Sequence, residues 1–531
     1  MFISVLILGI VCVSNLEGKQ ILISENNRKW WALAGISILS VVAFLDFSIV
    51  STALPSIQSS LQISYVELQW VMNVFVLANC IFMVNMGRLG DIFGSRLFLY
   101  IGAVIFGTAT LLGGLSSNGE MLILFRALQG FSVAIIIPAG LALISNTFSE
   151  NERGRAIGIW TGITGVGLAV GPVLGGIIVS ALSWRWVFFV NIPVLVIGAV
   201  ICLMSVRDVR HEGIKKKIDW FGFILMIIGI GCLISALIQA PEWGWTSART
   251  IILLIVAVVS LIALYLVEKR VSAPILDFNL FLKRGFISGA LANFSLIAFA
   301  YAAFFLMPLY LGNIRGEGSS YIGYFLLSVT VLIILVAPFS GKIVDSRGVK
   351  LPILLGLAAL AVSGFIQSTF RVSSTAYYII FGFLFMGIGW GFMYGAGAFA
   401  AISSLPKNLA GTATGALWTF QNFGGALGLA IAGIIFRHVE RDSLDNGLAS
   451  SGVILSHEQR VLVSSLLSDP DKSKHILSQF TDATADKILP IFEHSFMKGY
   501  SGAFIFLLCL CIVAFIIIFL VMKDIKRDKT Y

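Results

Sequence analysis

A helix must hold about 20 apolar residues in a row to cross roughly 30 Å of hydrocarbon, and this 531-residue chain contains fourteen such runs. They lie near residues 31–53, 69–88, 97–115, 120–145, 155–181, 185–206, 219–239, 250–267, 286–311, 321–341, 352–369, 376–402, 410–436 and 500–522. A backbone inside lipid finds no water to bond, so each run closes its own hydrogen bonds as a helix. The predicted fold class is therefore all-α integral membrane. Composition agrees: 58% of residues are hydrophobic and 12% charged, half the charge of an ordinary soluble domain. The one polar insert of any size is 437–498, too little for a separate soluble domain.

The formal charge of +9 raises the question of a nucleic-acid partner, and the placement of the charges answers it. With both termini assigned to the cytoplasm, 24 of the 36 Lys and Arg residues fall on the cytoplasmic side, among them Arg207, Arg210 and Lys215 to Lys217. The short outer loops hold only Arg185, Arg249, Arg315 and Arg371, and seven more sit in the long outer insert. An excess of basic residues in short cytoplasmic loops is an orientation signal, so no nucleic acid is expected. All six cysteines lie within apolar runs, which indicates neither a disulfide framework nor a metal site. Residues 1–13 are too short to span and lack a basic n-region. They read as an extension, either an upstream start codon or an interfacial anchor.

The chain repeats itself. GRLGDIFGSRL from Gly87 and GKIVDSRGVKL from Gly341 occupy equivalent loops and align without gaps: Gly87 with Gly341, Arg88 with Lys342, Asp91 with Asp345, Gly94 with Gly348, Arg96 with Lys350. Such internal symmetry implies two six-helix pseudo-repeat bundles, with two interposed transmembrane helices and substrate handled between the halves. The expected divisions are an N-terminal extension over 1–30, a first bundle over 31–206 and a central linker with spans seven and eight over 207–285. A second bundle over 286–522 includes the outer loop 437–498, and a cytoplasmic tail covers 523–531.

These residues resemble the major facilitator superfamily. The run Gly87 to Arg96 matches its cytoplasmic loop signature, Leu124 to Gly130 (LFRALQG) its fourth-span motif, and Gly167 to Gly176 (GLAVGPVLGG) its fifth-span motif. Leu45-Asp46 through Ala53-Leu54-Pro55, Trp184-Arg185-Trp186 with Asn191-Ile192-Pro193, and Gly424 to Gly428 resemble the fourteen-span drug:proton antiporter branch. The resemblance covers about residues 30–522 and implies multidrug efflux by proton antiport. Its fifth-span motif is one associated with antiporters rather than symporters. Branch members that favour divalent cations often carry further acids in later spans. Spans nine to fourteen as bounded here carry none, which argues against strongly cationic substrates.

Asp46 is the only carboxylate deep in any predicted span, and Arg126 the only base. Ionisable groups are costly in lipid and normally face a cavity in pairs. Asp46 lies nine residues before Pro55, and Arg126 six after Glu120. At 1.5 Å per residue both are about 9 to 13 Å deep, so they can meet in the outer half. Burial penalises the charged carboxyl and a guanidinium favours it; the opposition poises Asp46 to gain and lose a proton. No histidine falls in any predicted span, so the carboxylate has no rival as carrier; the competing reading is a permanent ion pair that only fixes helix positions.

Gly167, Gly171, Gly175 and Gly176 form a small-residue face, and Pro172 permits a kink, which suits either a gate or plain close packing. Asp91 and Asp345 at helix ends can latch an inner gate against Arg153 or Arg155, with Gly87, Gly94 and Arg96 part of the same motif. Candidate cavity residues are Phe75, Asn79, Gln129, Asn293, Tyr301, Phe305, Tyr394, Trp418 and Gln421, aromatics supplying area and amides orientation. The insert 437–498 is expected to form short helices over the exit, its four histidines without metal-ligand clustering.

Other classes lack their signatures. The chain holds no GxxxxGK[ST] phosphate loop for an ATP-driven pump, and neither HExxH nor GxSxG for an enzyme. No cofactor and no metal is expected. The partners expected are a small-molecule substrate, protons, the lipid bilayer and, where the cell has an outer membrane, a periplasmic adaptor. The location expected is the bacterial inner membrane. Export of an endogenous metabolite or siderophore, and uptake by symport, stand as alternatives.

Overall fold

A computed structural model describes residues 25–206, 219–271, 278–404, 410–451 and 482–522, and the regular elements among them are all helical. The first half contains α1 (Glu25–Leu61), α2 (Tyr65–Phe93), α3 (Ser95–Gly114), α4 (Gly119–Thr147), α5 (Glu150–Ala181), and a sixth span made of α6 (Trp186–Phe189) and α7 (Asn191–Ser205). Then come α8 (Trp220–Trp243) and α9 (Ala248–Glu268). The second half contains α10 (Arg284–Leu309), α11 (Ser319–Arg347), α12 (Lys350–Ser368), α13 (Ala376–Ser403), α14 (Ala410–Ser450) and α15 (Asp482–Val521). Fourteen helical stretches among the described residues are long and apolar enough to cross a membrane. Residues 1–24 and 523–531, and with them the readings of the two ends, lie outside the described residues.

Short turns are possible because polar residues cap the helix starts. Ser64 accepts from the Glu67 backbone while the Glu67 side chain accepts from Ser64 N, a reciprocal cap that satisfies two orphan donors. Asn118, Asp219 and Ser247 cap α4, α8 and α9 in the same spirit. The repeated loop owes its glycine to geometry. Gly94 has φ 109 and Gly348 φ 89, a region that a side chain disfavours, and each ends its helix at the equivalent turn.

The halves repeat in packing as well as in sequence. In the first, α1 packs on α5, α2 on α4 and α3 on α4; in the second, α10 packs on α14, α11 on α13 and α12 on α13. The halves meet along two seams, α5 with α11 and α2 with α14, and α8 lies against both α2 and α14.

The α5–α11 seam is closed at one end and open at the other. At the end bearing the 181–186 and 314–319 turns, Ser180 and Ser320 Oγ are 2.6 Å apart, Ser56 and Ser319 Oγ 3.4 Å, and Asn313 Nδ2 donates to Gln58 at 3.2 Å. Gly323 packs directly on the Pro172 carbonyl and Gly176 on the Ser319 backbone. Two turns along the same face from Pro172, a Cβ on Gly165 would meet nothing within 4 Å, and neither would one on Gly341, five turns beyond Gly323. The α5–α11 seam thus forms a wedge, shut at the face that the charge pattern assigns to the outside.

Two expectations need correction. The segments 437–450 and 482–498, expected as short helices of an outer loop, instead continue α14 and α15. Their apolar residues keep helical spacing past the membrane-length core, so Leu444 and Leu448 bury with Ile488, Phe492 and Phe496, and Gly447 and Gly499 let the two helices approach closely. Residues 452–481 lie outside the described residues. Pro55 is likewise not the end of the first span: α1 runs on to Leu61 with Pro55 inside it, which sets Asp46 about 22 Å below that end at 1.5 Å per residue.

Candidate functional site

Asp46 on α1 and Arg126 on α4 form an ion pair through Arg126 Nη1 and Asp46 Oδ2, with no exposed side-chain area on either. An isolated charge in such a place costs several kcal/mol unless paired and hydrogen-bonded, and the surrounding helices supply bonds to both groups, leaving Arg126 Nη2 without a partner among the described residues. Gln129, one turn beyond Arg126 on α4, accepts from Arg126 Nη1 at 3.0 Å through its Oε1. Its Nε2 donates to Asp46 Oδ1 at 3.1 Å and to Thr110 Oγ1 of α3 at 2.9 Å. Asn191, at the start of α7, donates to Asp46 Oδ1 at 3.0 Å. Arg126 Nε donates to the Val71 carbonyl of α2 at 3.1 Å, and the Phe75 ring lies 4.3 Å from the guanidinium, where its negative face attracts a cation.

The site therefore joins five helices of the first half through one carboxylate. Chemically it holds a single exchangeable charge pair in a dry interior, where a change of proton count on Asp46 alters every bond in the network. Sequence reasoning brought Asp46 and Arg126 together but assigned Phe75 and Gln129 to a substrate cavity; both stand beside the ion pair. It missed Thr110 and Val71 altogether. Asn191 was noted only as part of a motif, and its signal was an amide at the apolar start of a span.

The remaining cavity candidates divide. Asn293 Nδ2 donates to Gln421 Oε1 at 3.2 Å, and Tyr394 also reaches the Gln421 side chain, so these three converge in the second half. The Tyr301 ring lies 4.3 Å from Phe47 of α1, tilted by 36°, an aromatic bridge between halves that Phe304 joins at 6.0 Å. Phe305 instead meets Tyr65, 5.3 Å away, at the start of α2. Asn79 is buried with its Oδ1 unpartnered, and Trp418 is half-buried against the core.

Of the gating candidates, Gly167 packs on Val41, Gly171 on Ser48 and Gly175 on Thr52, all of α1, while Gly176 and Pro172 face α11. Gly87 packs on Pro138 of α4, and the Arg96 guanidinium lies 5.9 Å from the Tyr100 ring. Asp345 stands exposed near the end of α11. The side chains of Asp91, Arg153 and Arg155, and with them the proposed inner latch, lie outside the described residues. Two further acids are buried just beyond the predicted spans: Glu268 at the end of α9, 4% exposed, and Glu440 in the extension of α14, 3% exposed.

Two pseudo-repeated helical bundles, the first built around a buried ion pair and joined to the second by an aromatic bridge, define a membrane carrier. The chain belongs to the Major Facilitator Superfamily, whose family model matches residues 36–429. It is 32% identical to the tetracenomycin C resistance and export protein of Streptomyces glaucescens over 77% of this chain and 76% of that one. It is 27% identical to the multidrug transporter protein MdtP of Bacillus subtilis, over 92% and 91% respectively. A solved bacterial homolog of the human lysosomal transporter Spinster, inward-facing and unoccupied, shares the fold with a TM-score of 0.65. That likeness covers 95% of this chain and all of the other, at 15% identity. The protein is thus a multi-pass membrane transporter and not an enzyme.

Proposed function

We propose that the protein is a proton-coupled antiporter that exports small amphipathic or lipophilic compounds, drugs and toxicants among them, across the bacterial cytoplasmic membrane by alternating access. The observation that carries this reading is the fully buried Asp46–Arg126 pair, knit into a network that spans five helices. Buried ionisable groups in a membrane interior mark ion pathways, and a carboxylate is the group there able to take a proton near neutral pH. The export activities named for the relatives support the direction and the substrate class.

In the cycle, a proton from outside neutralises Asp46 and weakens its hold on Arg126 while substrate leaves. The halves, taken as 31–206 and 286–522, then rock so that the wedge opens inward, the proton departs and a new molecule enters between them. One unit of inward pH gradient contributes about 1.4 kcal/mol, and each net charge moved gains about 2.3 kcal/mol per 100 mV. Both termini lie in the cytoplasm in this scheme. Tyr301, Tyr394, Asn293, Gln421, Asn79 and Trp418 face the substrate path, and the α5–α11 seam is the outer gate.

The test uses everted membrane vesicles loaded with a pH indicator and challenged with tetracenomycin C, puromycin and a panel of metabolites. Proton release on addition of an exported compound is expected from the unmodified chain and not from Asp46→Asn. Undiminished proton exchange by Asp46→Asn overturns the coupling assignment. A response confined to metabolites overturns the substrate class.

A further inference from the structure

A carboxyl group that binds and releases a proton in a dry interior needs different neighbours in its two states. The anion wants donors; the acid carries an O–H that wants an acceptor. Around Asp46 every polar partner is locked as a donor except one. Arg126 has only N–H groups to offer. Gln129 cannot turn over, because its Oε1 accepts from Arg126 Nη1 at 3.0 Å and a reversed amide would set N–H against N–H. Thr110 accepts from Gln129 and makes no bond to the carboxylate.

Asn191 is different. Its Nδ2 donates to Asp46 Oδ1 at 3.0 Å and to the Val187 carbonyl at 3.3 Å, two acceptors that fix which end is nitrogen. Its Oδ1 is buried and has no hydrogen-bond partner, although the residue is fully buried and such an atom is costly to leave unpaired. We propose that Asn191 is the positioning residue that lets Asp46 change protonation state in place, its amide donating to the carboxylate and, turned half a revolution, accepting from the carboxylic acid. The inference rests on the reading of Asp46 as the proton carrier.

The step balances simply. A proton delivered by water forms an O–H bond on Oδ1, the oxygen remote from the Arg126 contact, and no electrons are transferred. The turn gives up both Nδ2 bonds, to Asp46 Oδ1 and to the Val187 carbonyl, and gains one O–H···O bond from the acid to the previously orphaned Oδ1. The one charged side chain acting on Asp46 among the described residues is Arg126 of α4. The groups that bond the network from α3, α7 and α2 are the Thr110 hydroxyl, the Asn191 amide and the Val71 carbonyl, all neutral. From α5, the small residues Gly167 and Gly171 abut α1.

The test is an infrared pH titration of the purified full chain in lipid nanodiscs, needing no substrate. The carboxyl carbonyl-stretch band that disappears in Asp46→Asn belongs to Asp46. In Asn191→Leu its half-titration point is expected to rise by about one pH unit, because the lost bond to the anion is about twice as strong as the lost bond to the acid. The protonated band is expected to move to higher wavenumber, its O–H having lost its acceptor. A protonated band unmoved in Asn191→Leu refutes the switch, since a merely structural amide would leave that band in place. Should Asn191→Leu fail to fold, Asn191→Asp keeps the shape: two carboxyls then share one proton, raising the half-titration point by two units or more, and a point equal to that of the unmodified chain refutes the proposal. Absence of any Asp46 band in the unmodified chain would instead sink the proton-carrier reading itself.

Discussion

Replacing Arg126 with leucine removes the only cation facing Asp46 among the described residues and leaves a fully buried carboxylate with two amide donors. It has two ways to respond. Remaining ionised and unpaired costs about 3 to 5 kcal/mol. Taking up a proton at pH 7, from an ordinary carboxyl value near 3.9, costs about 4 kcal/mol. Either route costs about the same, and the Val71 carbonyl loses its donor for about 1 kcal/mol more. Arg126→Leu is therefore expected to destabilise the fold by about 4 to 5 kcal/mol. Asp46→Asn, which strands the guanidinium, is expected to cost about 3 to 5 kcal/mol. The double variant leaves no buried charge and is expected to cost only about 1 to 2 kcal/mol, a coupling of at least about 5 kcal/mol. Equilibrium unfolding in mixed micelles, followed by tryptophan fluorescence, reads all four corners of the cycle. Single losses that simply add in the double variant would mean that the pair does not hold these helices, and the reasoning fails.

The other predictions concern the packing of the halves. With native cysteines removed, Ser180→Cys with Ser320→Cys is expected to form a disulfide on mild oxidation and stop transport, whereas Gly165→Cys with Gly341→Cys is expected to stay reduced in the same preparation; gel mobility reads both, and the reverse pattern refutes the wedge. Gly171→Val places a side chain into Ser48 and is expected to lower stability by about 1 to 3 kcal/mol, seen as a lower thermal midpoint in detergent. Gly94→Ala and Gly348→Ala are each expected to cost about 1 to 2 kcal/mol through the positive φ, and equal losses at the two sites would follow from their equivalent turns. A loss at one turn only would break that equivalence.

Much of this molecule is legible from residue order because lipid is an unforgiving solvent. A run such as 250–267 must be a helix wherever it lies, and the GRLGDIFGSRL and GKIVDSRGVKL loops reveal two halves before any packing is known. The Asp46–Arg126 pairing was legible for the same reason, since two costly charges in one hydrocarbon interior have nowhere else to go. The helix ends beyond the membrane were less so: α14 and α15 run on past 436 and before 500 because Leu444, Leu448, Ile488 and Phe492 pack on one another, and that contact joins residues far apart in the chain.

Hydropathy, charge placement and the two matching loops, all read along the chain, were enough to decide the number of spans, the repeat and the Asp46–Arg126 pair. Which side chains surround that pair was decided only when five helices came together. Phe75 and Gln129 moved from the substrate list to the ion-pair site, and Thr110 and Asn191 joined it, because hydrogen bonds between helices depend on rotation and depth that no linear pattern records. The closed seam from Pro172 to Gly323 and its open continuation at Gly165 and Gly341 belong to the same category: the shape of a wedge is a property of two bodies, and the order of residues describes one strand of chain.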